Sequence, residues 1–123
     1  MNKSSEKAKD INFIRSDHNG ITLLQIQDKR LDNRIATLYK QEFLIMKSDG
    51  VQQMVVDLSK VTHIDSSGLG ALLFGRRIMN ESNGDLKILG AKESVLNIFK
   101  IAHLDRVFDF YDDEGDAINS YNI

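Results

Sequence analysis

The sequence predicts an α/β domain, a mixed β-sheet of about five strands with helices packed on it, in the element order ββαβαβαβα. Three observations carry that expectation. Short apolar runs such as Met54-Val55-Val56 alternate with longer segments whose apolar residues recur at helical spacing. Turn signals, Asn19-Gly20, Gly50 and Asn83-Gly84, punctuate the alternation. No internal repeat, low-complexity tract or linker divides the 123 residues, a length that suits one domain.

Ile11 to Arg15 and Ile21 to Gln27 read as two strands, joined through Asp17-His18-Asn19-Gly20, because Asn and Gly both tolerate positive φ. Leu31-Asp32 opens the first helix, with Asp32 as N-cap and an apolar stripe of Ala36, Tyr39, Phe43 and Met46. Gly50 is placed to end it in the left-handed conformation. Gln53 to Leu58 scarcely alternates, as befits a central strand covered on both faces. A second helix runs from near Ser66 to about Met79, broken by Asn80-Glu81-Ser82-Asn83-Gly84. Asp85 to Leu89 is the next strand, and the third helix carries the stripe Val95, Ile98, Phe99, Ala102. Val107 to Phe110 forms a last short strand and Glu114 to Ser120 a terminal helix.

Composition narrows the function. With 16 basic against 18 acidic residues the net charge is −2, which predicts no direct nucleic-acid or membrane partner. Cysteine is absent, which removes disulfides, thiol nucleophiles and Cys-based metal sites and fits a cytoplasmic location. Residues 1–10 are charged, with no apolar core behind them; they are expected to be a flexible N-terminal segment, neither signal peptide nor anchor, ahead of a domain spanning 11–123. No apolar run approaches the roughly 18 residues of a membrane span.

The chemistry concentrates at Asp65-Ser66-Ser67-Gly68-Leu69-Gly70, where a strand end passes directly into a helix. Helix N-termini favour negative charge and allow close approach to the backbone. Enzymatic readings find little support. Ile64 stands where a nucleophile elbow, Gly-x-Ser-x-Gly, needs its first glycine. Leu73 stands where a dinucleotide fingerprint starting at Gly68 needs its third. His18, His63 and His103 lack metal-ligand spacing, so no catalytic residue, metal or cofactor is expected. Asp and Ser are also the preferred helix caps, each worth about 1 kcal/mol, and the glycines equally let a helix lie close to the sheet. The second helix, however, is apolar on more than one side: Leu69, Leu72 and Leu73 form one set, Ala71, Phe74 and Ile78 another. Gly68, Ala71, Gly75 and Ile78 are therefore expected to contribute to a protein-docking patch beside the serines.

Val55-Val56-Asp57-Leu58-x-x-Val61-x-x-Ile64-Asp65-Ser66-Ser67-Gly68-Leu69-Gly70-Ala71-Leu72 resembles the signature of the STAS domain, specifically bacterial anti-sigma factor antagonists. The resemblance extends through Leu31-Asp32 and Ala36, through Asn83-Gly84-Asp85-Leu86, and through Leu104-Asp105-Arg106-Val107-Phe108 to Ala117. It implies a STAS-type fold and a non-enzymatic partner switch. The serine directly after the aspartate, Ser66 here with Ser67 second choice, is phosphorylated by an anti-sigma factor that is itself a GHKL-type serine kinase. The unphosphorylated antagonist binds that kinase and frees sigma; a PP2C-type phosphatase restores it. The expected partner-binding residues are Asp65, Ser66, Ser67, Gly68, Ala71 and Gly75. On this reading, provided Gly75 faces solvent, Gly75→Arg should obstruct the partner with little change in melting temperature. The chain departs from the family in carrying His103 where a glycine often precedes Leu-Asp. The alternatives are a STAS module of a stressosome-like or two-component phosphatase assembly, and a small nucleotide-binding domain using Gly68 to Gly70.

Overall fold

A computed structural model describes residues 3–6 and 11–121. Its strands and helices follow the order β1 (Lys3–Glu6), β2 (Phe13–His18), β3 (Ile21–Ile26), β4 (Arg30–Leu31), α1 (Ala36–Ser48), β5 (Gln53–Asp57), β6 (His63–Ile64), α2 (Ser66–Glu81), β7 (Asp85–Leu89), α3 (Glu93–Ile101), β8 (Phe110–Tyr111), α4 (Glu114–Asn119). A six-stranded sheet runs β1-β2-β3-β5-β7-β8, with β4 and β6 forming a separate two-stranded ribbon. β1, β2 and β3 are antiparallel; β3, β5, β7 and β8 are parallel. The expected mixed sheet and helix alternation are present, and three short strands, β1, β4 and β6, add to the expected order.

Backbone punctuation explains most boundaries. His18 pairs with Ile21, so β2 runs three residues further than expected and the hairpin loop is only Asn19-Gly20, with φ of 53° and 86°. Three helices end alike. After α1, Gly50 N–H donates to the Lys47 carbonyl and Val51 N–H to Met46; after α2, Asn83 donates to Asn80 and Gly84 to Met79; after α3, His103 donates to Lys100 and Leu104 to Phe99. These are Schellman closures, and Gly50, Asn83 and His103 each occupy the left-handed position.

Two further boundaries moved. Asp32 does not cap α1: its carbonyl accepts from Ile35 and Ala36 and its carboxylate from Arg34 N–H, closing a turn that delays the helix to Ala36. β8 begins at Phe110 because Val107 N–H turns back to Leu104, while Phe108 packs edge-on against Phe99 with centroids 5.6 Å apart.

The main core lies between one sheet face and α1, α2 and α3. The α1 stripe Ala36, Tyr39, Phe43 and Met46 is buried there as its spacing predicts, with Val95 and Phe99 of α3, whereas Ala102 is exposed. On the other face a smaller cluster, Ile21, Leu23, Val55 and Leu89, is covered by Ala117 of α4. Among the described residues, no helix is long and apolar enough to cross a membrane.

Candidate functional site

The start of α2 is held from two directions. Asp65 is its N-cap, extended at φ −116°, with Oδ1 accepting from Gly68 N–H at 2.9 Å. Its Oδ2 accepts from Asn33 N–H at 3.2 Å, tying the helix start to the turn that precedes α1. Beneath them the β4–β6 ribbon pairs Arg30 with His63 and Leu31 with Ile64, and Thr62 and His63 N–H both donate to the Lys29 carbonyl. One carboxylate thus satisfies a free helix donor and fixes the relative position of two loops.

Ser66, the first residue of α2, is exposed, and Ser67 is half-buried; among the described residues neither hydroxyl has a hydrogen-bond partner. His63 is exposed and its Nδ1 lies 2.9 Å from Thr62 Oγ1, so the imidazole is engaged away from both serines. Among the described residues no group of three or more potential ligands could hold a metal ion. An exposed, uncommitted hydroxyl at a helix N-terminus is accessible to a modifying enzyme, and the helix end accommodates added negative charge.

The four residues expected to form an exposed patch beside the serines do not face solvent. Gly68, Ala71 and Gly75 are buried, as is Ile78. A Cβ at Gly68 would land on the Leu31 carbonyl oxygen and stand 2.8 Å from Ile64 Cγ1; one at Gly75 would stand 2.8 Å from both Leu86 Cδ1 and Phe43 Cδ2. These glycines let α2 approach the ribbon, β7 and α1. The wet face is the opposite one: Ser66, Gly70, Leu73 and Arg77 follow one another at i, i+4, i+7 and i+11, with Ser67 and Phe74 beside them. Leu73 and Phe74 are half-buried and rest on the core from outside. Gly70 has nothing within 4 Å of a would-be Cβ, so the fold itself does not require its glycine. Counting turns from Ser66 identifies these residues in the sequence; which side of the helix is wet does not emerge from it.

A family model for the STAS domain matches residues 11–117. The anti-sigma-B factor antagonist of Staphylococcus aureus (strain NCTC 8325 / PS 47) is 32% identical over 59 residues, 48% of this chain and 55% of that protein. The chain thus spans about half the length of the curated relatives it matches. Among solved structures, an anti-sigma factor antagonist from Mycobacterium paratuberculosis superposes with a TM-score of 0.80 at 22% identity, covering 96% of this chain and 100% of that one. The anti-sigma factor antagonist SpoIIAA in its unphosphorylated form gives 0.78 at 17% identity over 89% and 96%. At these identities the structural likeness shows a shared fold.

Proposed function

The chain belongs to the STAS domain family, and from that premise we propose that it is a cytoplasmic anti-sigma factor antagonist switched by phosphorylation of Ser66. Unphosphorylated, it binds an anti-sigma factor that is a GHKL-type serine kinase and so releases sigma; phosphorylated, it lets go until a PP2C-type phosphatase restores it. The chain itself performs no catalysis. The observation that carries the reading is the position of Ser66, exposed and uncommitted immediately after the Asp65 cap. The names of the relatives, anti-sigma factor antagonists, support the antagonist role within this reading.

Electrostatics supplies the switch. A phosphate brings about −1.5 to −2 charges and strong acceptor oxygens. In the free domain the α2 N-terminus tolerates that charge. Burying it in a contact that lacks compensating cations costs several kcal/mol. Each 1.4 kcal/mol is tenfold in affinity, so a loss of about a hundredfold is within reach while the fold persists. The docking surface on this reading is the serine turn with the wet face of α2: Asp65, Ser66, Ser67, Gly70, Leu73 and Phe74. Gly68, Ala71 and Gly75 support it from below.

Incubation with ATP and a cognate GHKL-type kinase, followed by mass spectrometric mapping, tests the assignment. Phosphate on Ser66 is expected; phosphate only on Ser67, or on neither serine, overturns it.

A further inference from the structure

A shallow groove runs along the outer surface between α1 and α2, lined by Lys40 of α1 and by Gly70, Leu73, Phe74, Arg76, Arg77 and Asn80 of α2. Its charge is one-sided. The two helices carry four cations: Lys40 and Lys47 on α1, Arg76 and Arg77 on α2. Lys47 is paired with Glu81 at 2.7 Å and Arg76 with Asp85 at 3.3 Å. Lys40 and Arg77 have no ion pair among the described residues; both sit over the Phe74 ring, with Nζ 5.9 Å and Cζ 5.3 Å from its centroid. No carboxylate is among the described residues that line the groove.

We propose that this groove receives an acidic amphipathic segment of the partner protein, its carboxylates on Lys40 and Arg77 and an apolar side chain against Leu73 and Phe74. The inference rests on the antagonist reading and adds the chemistry of the contact. A half-buried aromatic ring flanked by two cations that make no direct ion pair, Arg77 lying only in the longer-range field of Glu81, is complementary to a segment offering both apolar surface and negative charge. Gly70 lines the groove one helical turn from Ser66, and without a Cβ it lets the partner's backbone come close. A nucleic acid is disfavoured, since two unpaired cations on a chain of net charge −2 offer little to a polyanion. Along α2, Arg77 stands about 16 Å from Ser66 at ~1.5 Å per residue, further than the Debye length of about 10 Å at 0.1 M salt. The groove therefore sets affinity for the partner, while Ser66 sets whether the complex survives phosphorylation.

The test is calorimetric titration of the unphosphorylated full chain with the GHKL kinase at low and high salt, using wild type and the double variant Lys40→Glu/Arg77→Glu. The expected result is affinity weakened by about tenfold or more at low salt, a flattened salt dependence, and a raised KM for Ser66 phosphorylation at unchanged kcat. Lys40→Arg/Arg77→Lys should retain binding, and melting temperatures should match, since these side chains lie on the surface. A wild type that binds and a double variant that binds equally well overturn this inference alone; a wild type that does not bind overturns the antagonist reading with it. Binding to phosphatidylserine vesicles that depends on Lys40 and Arg77, with kinase affinity unmoved, reassigns the groove to a lipid surface and also overturns it.

Discussion

Gly75 lies directly against the ring of Phe43, so that a Cβ at position 75 would stand 2.8 Å from Phe43 Cδ2 and 2.9 Å from Cε2. This approach of α2 to α1 turns Gly68, Ala71 and Gly75 inward and leaves Ser66, Gly70, Leu73 and Phe74 outward. It reverses the expectation from sequence that Gly75→Arg would spare the fold.

Gly75→Ala should lower stability by about 1–3 kcal/mol, the usual cost of overpacking a filled site. Gly75→Arg should unfold the domain or nearly so. Gly70→Ala should do the opposite, gaining about 0.5–1 kcal/mol because an open helical glycine becomes a helix former. Urea titrations of the three variants check the signs. Gly70→Arg should then keep the wild-type melting temperature and lose kinase binding, the outcome sequence reasoning assigned to Gly75.

How much of this was legible follows from which forces were local. The Asn19-Gly20 turn and the α1 stripe ending at Gly50 depend on neighbours in sequence, and both are found where the residues place them. The β4–β6 ribbon was hidden: Arg30-Leu31 and His63-Ile64 are too short to show a period, and their pairing spans more than thirty residues. The wet side of α2 was hidden for a related reason. Leu72, Leu73 and Phe74 are comparably apolar, and residues distant in sequence, Leu31 and Ile64 of the ribbon with Phe43 of α1 and Leu86 of β7, decide which side is buried. Gly68 and Gly75, seven residues apart on one face, were the available hint that this face is the close-packed one.

His103 adopts φ +61° in the Schellman closure of α3. A left-handed conformation costs a non-glycine residue about 1–2 kcal/mol, part of which glycine returns through its greater freedom in the unfolded chain. His103→Gly should therefore raise stability by up to about 1 kcal/mol. A loss of stability in urea titration would show that the imidazole contributes more than its backbone strain.

Alkaline pH should destabilise the domain through buried Tyr39 and half-buried Tyr121. Burial, then the hydrogen bond to Asp28, pushes the Tyr39 phenol well above its ordinary value; burial, then the negative charge of Asp85, raises Tyr121. The folded state thus holds its protons where the unfolded chain releases them near pH 10. Stability contributed by the neutral phenols is full below about pH 10 and is lost as pH rises toward the folded values. Denaturant titrations from pH 8 to 11 should show this decline, and Tyr121→Phe should make it shallower. An unchanged slope in that variant would remove Tyr121 as a contributor.

Ser66→Ala should fold and bind the kinase constitutively. Asp65 retains the N-cap bond to Gly68, so the stability change should stay within about 0.5 kcal/mol. Ser66→Asp should weaken binding less than phosphate does, because it carries one charge and fewer acceptors. Native gels of each variant with the kinase distinguish them; failure of folded Ser66→Ala to bind would make the hydroxyl a required contact.

The most direct measurement is the affinity of the full chain for the GHKL kinase before and after stoichiometric phosphorylation at Ser66, with Ser66→Ala as the unmodifiable control. A switch at Ser66 predicts a loss of about a hundredfold or more on phosphorylation, equal melting temperatures for the two forms, and wild-type affinity for the alanine variant. Equal affinity of the phosphorylated and unphosphorylated forms would contradict it.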